Sequence, residues 1–390
     1  MIDARSHAPD RPRPLAPAGA FTLLAVACLT IMVGCVIVPG LPSIGAALGV
    51  GRASGWLITL PSLGVVVFGP LAGRLIDRVG AYRALCCGLL LYGLLGGAVV
   101  LLHGPVAVFA DRFVLGGATG LVMAGGTALI SEFYAGEARL AMIARQGMAI
   151  ELGGVIFLSI GGYLTTFGWA APFALYGMAI VFLVMVIAFV PAGRARGADV
   201  DAVADGVAPA SMAPVFLAAL CSMVVFFTAV LVLPFRLSRA VGFSEAQVGY
   251  FLSCVSLVAV GFASIMPRVA GRWTERLTLV IAFGCYALAH LCFAFAPGLA
   301  VLALGALLLG AGFGLSIPLV NHMTIERSPA ALRGRNLAYL SMAIFLGQFL
   351  ASPIGLVSGG SAGSFLAASA IALVAMLYGL TPHAFGARRD

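Results

Sequence analysis

Three ionisable side chains, Asp111, Arg112 and Glu151, lie inside long apolar runs of this 390-residue chain. A charge in such a setting is costly, and an acid there can carry a proton by alternating between a neutral buried form and an ionised form paired with a cation. Arg112 lies seven residues after Pro105, which opens its run, and Glu151 lies eleven after Leu140, which opens the next. At 1.5 Å per residue that puts Arg112 roughly 10 Å from one surface and Glu151 about 16 Å from the other. In a hydrocarbon core of about 30 Å their heights then differ by only ~4 Å. An Arg112–Glu151 pair in a wet cavity, with Glu151 as the proton carrier, is one arrangement. A purely structural ion pair is a second, and Asp111 as the partner of Arg112 is a third.

Other polar groups are sparse. His290 and His322 fall in or near apolar runs, where a hydrogen-bonded histidine and a substrate or proton contact both fit. Thr30, Ser222, Phe226, Phe227, Thr228, Ser256, Asn321, Tyr339 and Gln348 are candidates to line a substrate cavity, since each is polar or aromatic within a run. No histidine pairs with an acid or cysteine at metal-ligand spacing, and no Ser-His-Asp set or phosphate loop is present. Neither a metal, a cofactor nor enzyme activity is expected. The eight cysteines all lie in apolar runs without a C-x-x-C pair and read as packed thiols.

The elements that must hold these groups are membrane spans. Apolar residues make up 62% of the chain and charged residues 9%, against about 25% charged in a soluble domain. Apolar runs begin near Ala20, Trp56, Ala84, Pro105, Leu140, Ala171, Pro214, Gln247, Leu277, Leu299, Asn336 and Ser364, each long enough for the ~20 residues of a spanning helix. The first, Ala20 to Pro39, is too long for a signal-peptide core and reads as a retained helix. All 22 basic residues are arginine. With the N-terminus inside, eighteen of them fall in inside segments, three (Arg52, Arg236, Arg239) outside, and Arg112 within a span. That bias predicts both termini in the cytoplasm and accounts for the net charge of +8 without a nucleic-acid partner.

The expected organisation is an all-α integral membrane protein of twelve helices in two pseudo-symmetric bundles. A tail (1–18), a bundle (19–190), a polar linker (191–213), a second bundle (214–382) and a tail (383–390) follow in order. Internal echoes support the duplication. Gly73-Arg74-Leu75-Ile76-Asp77-Arg78 returns as Gly271-Arg272-Trp273-Thr274-Glu275-Arg276, 198 residues on. Met148 to Gly153 returns as Met342 to Gly347, and Gly116 and Gly120 as Gly310 and Gly314, at an offset of 194. Asp111, Arg112 and Glu151 map onto Gly305, Ala306 and Phe345, so any coupling chemistry sits in the first half.

The chain resembles the major facilitator superfamily of secondary transporters over essentially its whole length. The stretch Gly69 to Arg83, with Gly73, Arg74, Asp77, Arg78, Gly80 and Arg83, resembles that family's signature loop between helices 2 and 3. Val36 to Ile44 resembles the end of its first helix, and Asp111-Arg112-Phe113-Val114-Leu115-Gly116 its helix-4 arginine motif. Gly161-Gly162 fits the helix-5 pattern of the drug antiporters, whereas Phe157-Leu158 stands where they carry Gly-Pro. The resemblance implies a bacterial inner-membrane transporter working by alternating access. Its implied activity is proton-coupled efflux of a small amphipathic or lipophilic compound, with substrate, protons and lipid as partners and a monomer as the unit. Proton symport importing a metabolite, and a transport-inactive sensor or scaffold of the same fold, are the alternatives. It further implies that Asp77, with Arg78 and Arg83 around it, contacts the opposite bundle near helix 11 and holds the inside closed.

Overall fold

The computed structural model describes residues 15–192, 212–329, 332–358 and 360–381. Most of the expected linker and both tails lie outside the described residues. Within lipid every backbone polar group must be satisfied inside its own segment, and among the described residues the chain answers with helices and no strand. Among the described residues, twelve helices are long and apolar enough to cross a membrane. They are α1 Pro17–Cys35, α2 Trp56–Val79, α3 Ala81–Leu101, α4 Pro105–Phe133, α5 Gly136–Thr165 and α6 Ala171–Phe189, then α7 Ala213–Val241, α8 Glu245–Trp273, α9 Glu275–Phe295, α10 Leu299–Arg327, α11 Arg333–Val357 and α12 Ser361–Leu380.

The helices overrun the apolar runs that announce them. Those of 29 or 30 residues, α4, α5, α7, α8 and α10, are about 44 Å long, against about 30 Å of hydrocarbon. Their ends therefore stand among headgroups, where Arg139 and Arg327 extend a helix that an apolar count stops short of. The first run corrects in the other direction. Helix α1 ends at Cys35, and Val36 to Gly40 turn into a short helix, Leu41–Ala47, with Pro42 in its first turn, where a missing N–H costs nothing.

The two halves repeat with a register of 194. Helices α3 and α9 start at Ala81 and Glu275, and α4 and α10 run Pro105–Phe133 and Leu299–Arg327. Gly80 and Thr274, the residues that close α2 and α8, share the same backbone, at φ 84°, ψ 153° and φ 93°, ψ 149°. Each donates its N–H back four residues, to Ile76 O (2.8 Å) and Ala270 O (3.0 Å). Glycines pack alike in both halves. A Cβ on Gly116 would fall 2.8 Å from the Gly64 Cα, and one on Gly310 would meet Val258 at the same distance, so α4 lies on α2 as α10 lies on α8.

This register corrects the expected repeat of the signature loop. Asp77 and Arg78 sit in the last turn of α2, whereas Glu275 and Arg276 open α9. The hexamer Gly271, Arg272, Glu275, Arg276 is therefore one helical turn out of step with its sequence twin. By position, Asp77 matches Gly271 and Glu275 matches Ala81.

The halves touch through α5 against α8 and α2 against α11. An even number of spans places Pro17 and Leu380 at one end of the bundle, the terminal end. The contacts lie toward the other, distal end. There the Thr59 and Ser352 hydroxyls pair at 2.6 Å, Ser62 donates to Gln348 Oε1 at 2.7 Å, and Ser159 and Ser253 pair at 2.8 Å. A Cβ on Gly162 would lie 3.1 Å from the Gly249 Cα, so the α5 and α8 backbones nearly touch. Toward the terminal end the same faces are uncovered: Ala144 and Gly147 of α5 and Val260, Ser264 and Pro267 of α8 are exposed. A cleft opens between the halves on that side.

Candidate functional site

Arg112 and Asp111 are adjacent on α4, and they find each other. Arg112 is fully buried, its Nε and Nη2 donating to Asp111 Oδ2 at 3.0 and 2.7 Å. The same Nη2 donates to the carbonyls of Leu95 (3.0 Å) and Gly96 (3.3 Å) on α3, and Nη1 to the Tyr176 hydroxyl at 3.4 Å on α6. The rings of Phe173 and Tyr176 lie 5.8 and 5.4 Å from the guanidinium carbon. Two tyrosines carry the network to α1, Tyr176 donating to Val33 O and Tyr92 to Leu29 O, each at 2.7 Å. A charge taken out of water is thus fully satisfied, and four helices are fastened by it. The Arg112–Glu151 pair does not form. Of the three arrangements open from sequence, the structure selects Asp111 as the partner.

The second half fills this space differently. Gly305, at the Asp111 position, packs on the Phe293 ring, where a Cβ would fall 2.5 Å away. His290 stands where Gly96 does in the first half, fully buried, with the Phe293 and Phe365 rings at 6.1 and 6.0 Å and Nδ1 donating to Tyr286 O at 2.8 Å. His290 is a packed core histidine.

Glu151 is half-buried on α5 and makes no hydrogen bond or ion pair among the described residues. Its direction follows from helical phase. Gly162 lies eleven residues on, three turns and about 20° further round, so Glu151 and Gly162 share the face that meets α8. The opposite face of α5 packs on α1, with Gly153 against Cys28 and the Cys28 thiol donating to Ala149 O at 3.1 Å. Glu151 therefore borders the cleft between the halves, inward of their contact.

The cavity candidates separate into groups. Phe226 lies tilted against Phe313 with centroids 4.3 Å apart and edge-on to Phe227 at 5.8 Å, and Tyr339 meets Phe216 edge-on at 6.3 Å; all are half-buried. Thr30 and Asn321 are also half-buried but bond to their own helices, at Ala27 O (2.8 Å) and Ile317 O (3.0 Å). Ser256 is half-buried and Ser222 is fully buried. Thr228 corrects the cavity reading: it is fully buried, its hydroxyl turned onto Val224 O. Gln348 belongs to the distal contact through Ser62. The hydroxyl pairs there were not singled out in the sequence, although Thr59 and Ser62, one turn apart at the start of α2, carry the needed periodicity.

On the terminal face Arg74, Asp77, Arg78 and Arg83 are exposed, and Asp77 has no polar partner among the described residues. Gly73 and Gly80 are half-buried beside them. The second-half residues are tied down instead. Glu275 meets Arg327 at 2.5 Å and His322 at 3.8 Å, while Arg276 donates to the last carbonyls of α12, Gly379 O (2.7 Å) and Leu380 O (2.6 Å). Gly271 and Arg272 are exposed.

Twelve spans in two repeated halves, joined at one end and parted at the other, form the architecture of a membrane transporter. The family profile of the Major Facilitator Superfamily matches residues 22–352, and again 215–388, and the chain belongs to that family. It is a multi-pass membrane transporter and not an enzyme. Over 156 residues it is 25% identical to the Quinolone resistance protein NorA of Staphylococcus aureus, covering 40% of each chain. Over 139 residues it is 27% identical to Multidrug resistance protein 2 of Bacillus subtilis (strain 168), covering 35% of this chain and 34% of that one. The matched stretch thus spans about two fifths or less of these relatives' length. A POT family transporter in complex with 5-aminolevulinic acid shares the fold, with a TM-score of 0.77 at 12% identity over 94% of this chain and 97% of that one.

Proposed function

We propose that this transporter is a proton-coupled antiporter that exports a small amphipathic or lipophilic compound across a bacterial inner membrane, with both termini cytoplasmic. In that orientation the structure is open to the cytoplasm and closed outside. The observation that carries the reading is Glu151: it lies deep in its span beside the cleft, and no cation among the described residues neutralises it, since Arg112 is spent on Asp111. The packed rings of Phe226, Phe227 and Phe313 offer an apolar surface to the cargo. The likeness to a quinolone and a multidrug resistance protein supports outward transport. Asp77, exposed here, would act in the opposite state, when the cytoplasmic ends close.

Glu151→Gln tests the coupling. In proteoliposomes loaded with a lipophilic fluorescent dye, the variant should remain folded, bind the dye and exchange it across the membrane, because exchange needs no net proton movement. Accumulation driven by a pH gradient should disappear. Undiminished, gradient-dependent accumulation by the Gln variant would remove Glu151 from the role, leaving Asp111 as the next candidate.

A further inference from the structure

Helices α5 and α8 run antiparallel, and their contacts at the distal end set a register. Gly162 faces Gly249, and Ser159 faces Ser253, whose hydroxyl also donates to Val155 O at 2.9 Å. Glu151 lies eleven residues from Gly162 toward the terminal end, and Val260 lies eleven from Gly249 in the same direction. Both steps are about 16 Å and return to the same helix face, so Glu151 and Val260 are opposed across the open part of the seam. Val260 is 42% exposed, uncovered by α5 in this state.

The wall that Val260 belongs to carries no charge. Between Glu245 and Arg268, α8 has only Tyr250 and Cys254 as titratable groups. From α1, Cys28 and Cys35 face α5 with thiols; from α4, Thr127 engages Gln146 at 3.2 Å, and Glu132 is a further acid. No cation is offered to Glu151 from any of these helices. Closing the terminal end must bring the two uncovered faces together, and an ionised carboxylate pressed on a valine would lose its water with nothing in return.

We propose that Val260 is the positioning residue that makes closure of the α5–α8 seam, when no cargo is bound, conditional on a neutral Glu151. The apolar side chain at position 260 acts as the gatekeeper of coupling: it admits the protonated acid and rejects the carboxylate. This rests on Glu151 being the proton carrier, and the test separates the two.

The readout is the distance between nitroxide spin labels on Gly147→Cys and Ser264→Cys, which share the same register, in full-length protein with the eight native cysteines replaced and without any cargo; a short distance reports the closed seam. With native Glu151 and Val260, the closed population should rise several-fold as pH falls from about 8 into the carboxylic-acid range at about 4. Glu151→Gln should be closed to the same large extent at every pH; if its pH dependence persists, the proton-carrier reading itself fails. Val260→Arg supplies a guanidinium to the carboxylate, so its closed population should be high and flat with pH. Combining it with Glu151→Gln should bring the closed population several-fold below that of Glu151→Gln alone. Val260→Gln, a milder change, should flatten the pH response in part. If Glu151→Gln abolishes the response while both position-260 variants keep the native profile, Val260 has no such role and this proposal alone is overturned.

Discussion

Arg112 is the largest fully buried side chain among the described residues, and its environment shows how a buried charge is accommodated. One carboxylate, two carbonyls, a phenol and two ring faces surround it, and of these only the carboxylate offsets its charge. Asp111→Asn takes away the only anion and should destabilise the folded protein by about 3–5 kcal/mol. Thermal unfolding in detergent would register this as a lower midpoint, and an unchanged midpoint would deny the pair its structural role. The sequence allowed the heights of Arg112 and Glu151 to be counted, and the similarity in depth was a fair basis for expecting a pair. Direction was the missing coordinate. Each residue turns a helix by 100°, so whether Arg112 points to α5 or to α3 and α6 depends on where those helices stand, which no count along one chain contains.

Helix ends carry the second lesson. The α2–α3 and α8–α9 corners use the same backbone conformation, which L-residues adopt only under strain. The first corner has Gly80 and the second Thr274, the one non-glycine residue with positive φ among those described. Thr274 accepts Leu277 N–H on its hydroxyl at 3.3 Å, a cap that partly offsets the strain. Gly80 has no such cap, and Gly80→Ala should cost about 1–3 kcal/mol, read as a lowered unfolding midpoint with the cleft chemistry untouched. The spans were legible because lipid leaves the backbone few choices. Their ends were not, because arginine ends an apolar run without ending a helix. The hexamer was persuasive for the same reason that it misled: Gly-Arg-x-x-acid-Arg suits any corner at a charged membrane face, so resemblance in composition concealed a slip of one turn. Gly116 and Gly310, held by packing on α2 and α8, kept the true register of 194.

At the scale of the whole molecule, duplication was readable from the chain, whereas which end of the bundle is shut was not. Closure depends on hydroxyl pairs drawn from four helices, each unremarkable in its own segment. The seam they form has a further consequence for how the transporter meets its surroundings. Thr59–Ser352, Ser62–Gln348, Ser159–Ser253 and the Gly162–Gly249 crossing involve no ion. Screening acts only on charge, so dissolved electrolyte has no handle on this joint. A disulfide placed across it, as Ser159→Cys with Ser253→Cys in a background without the native cysteines, should form to the same extent from about 0.05 M to 1 M salt. A yield that fell with salt would reveal a hidden electrostatic tie. A seam of this kind keeps the transporter's resting posture the same in dilute and in concentrated salt.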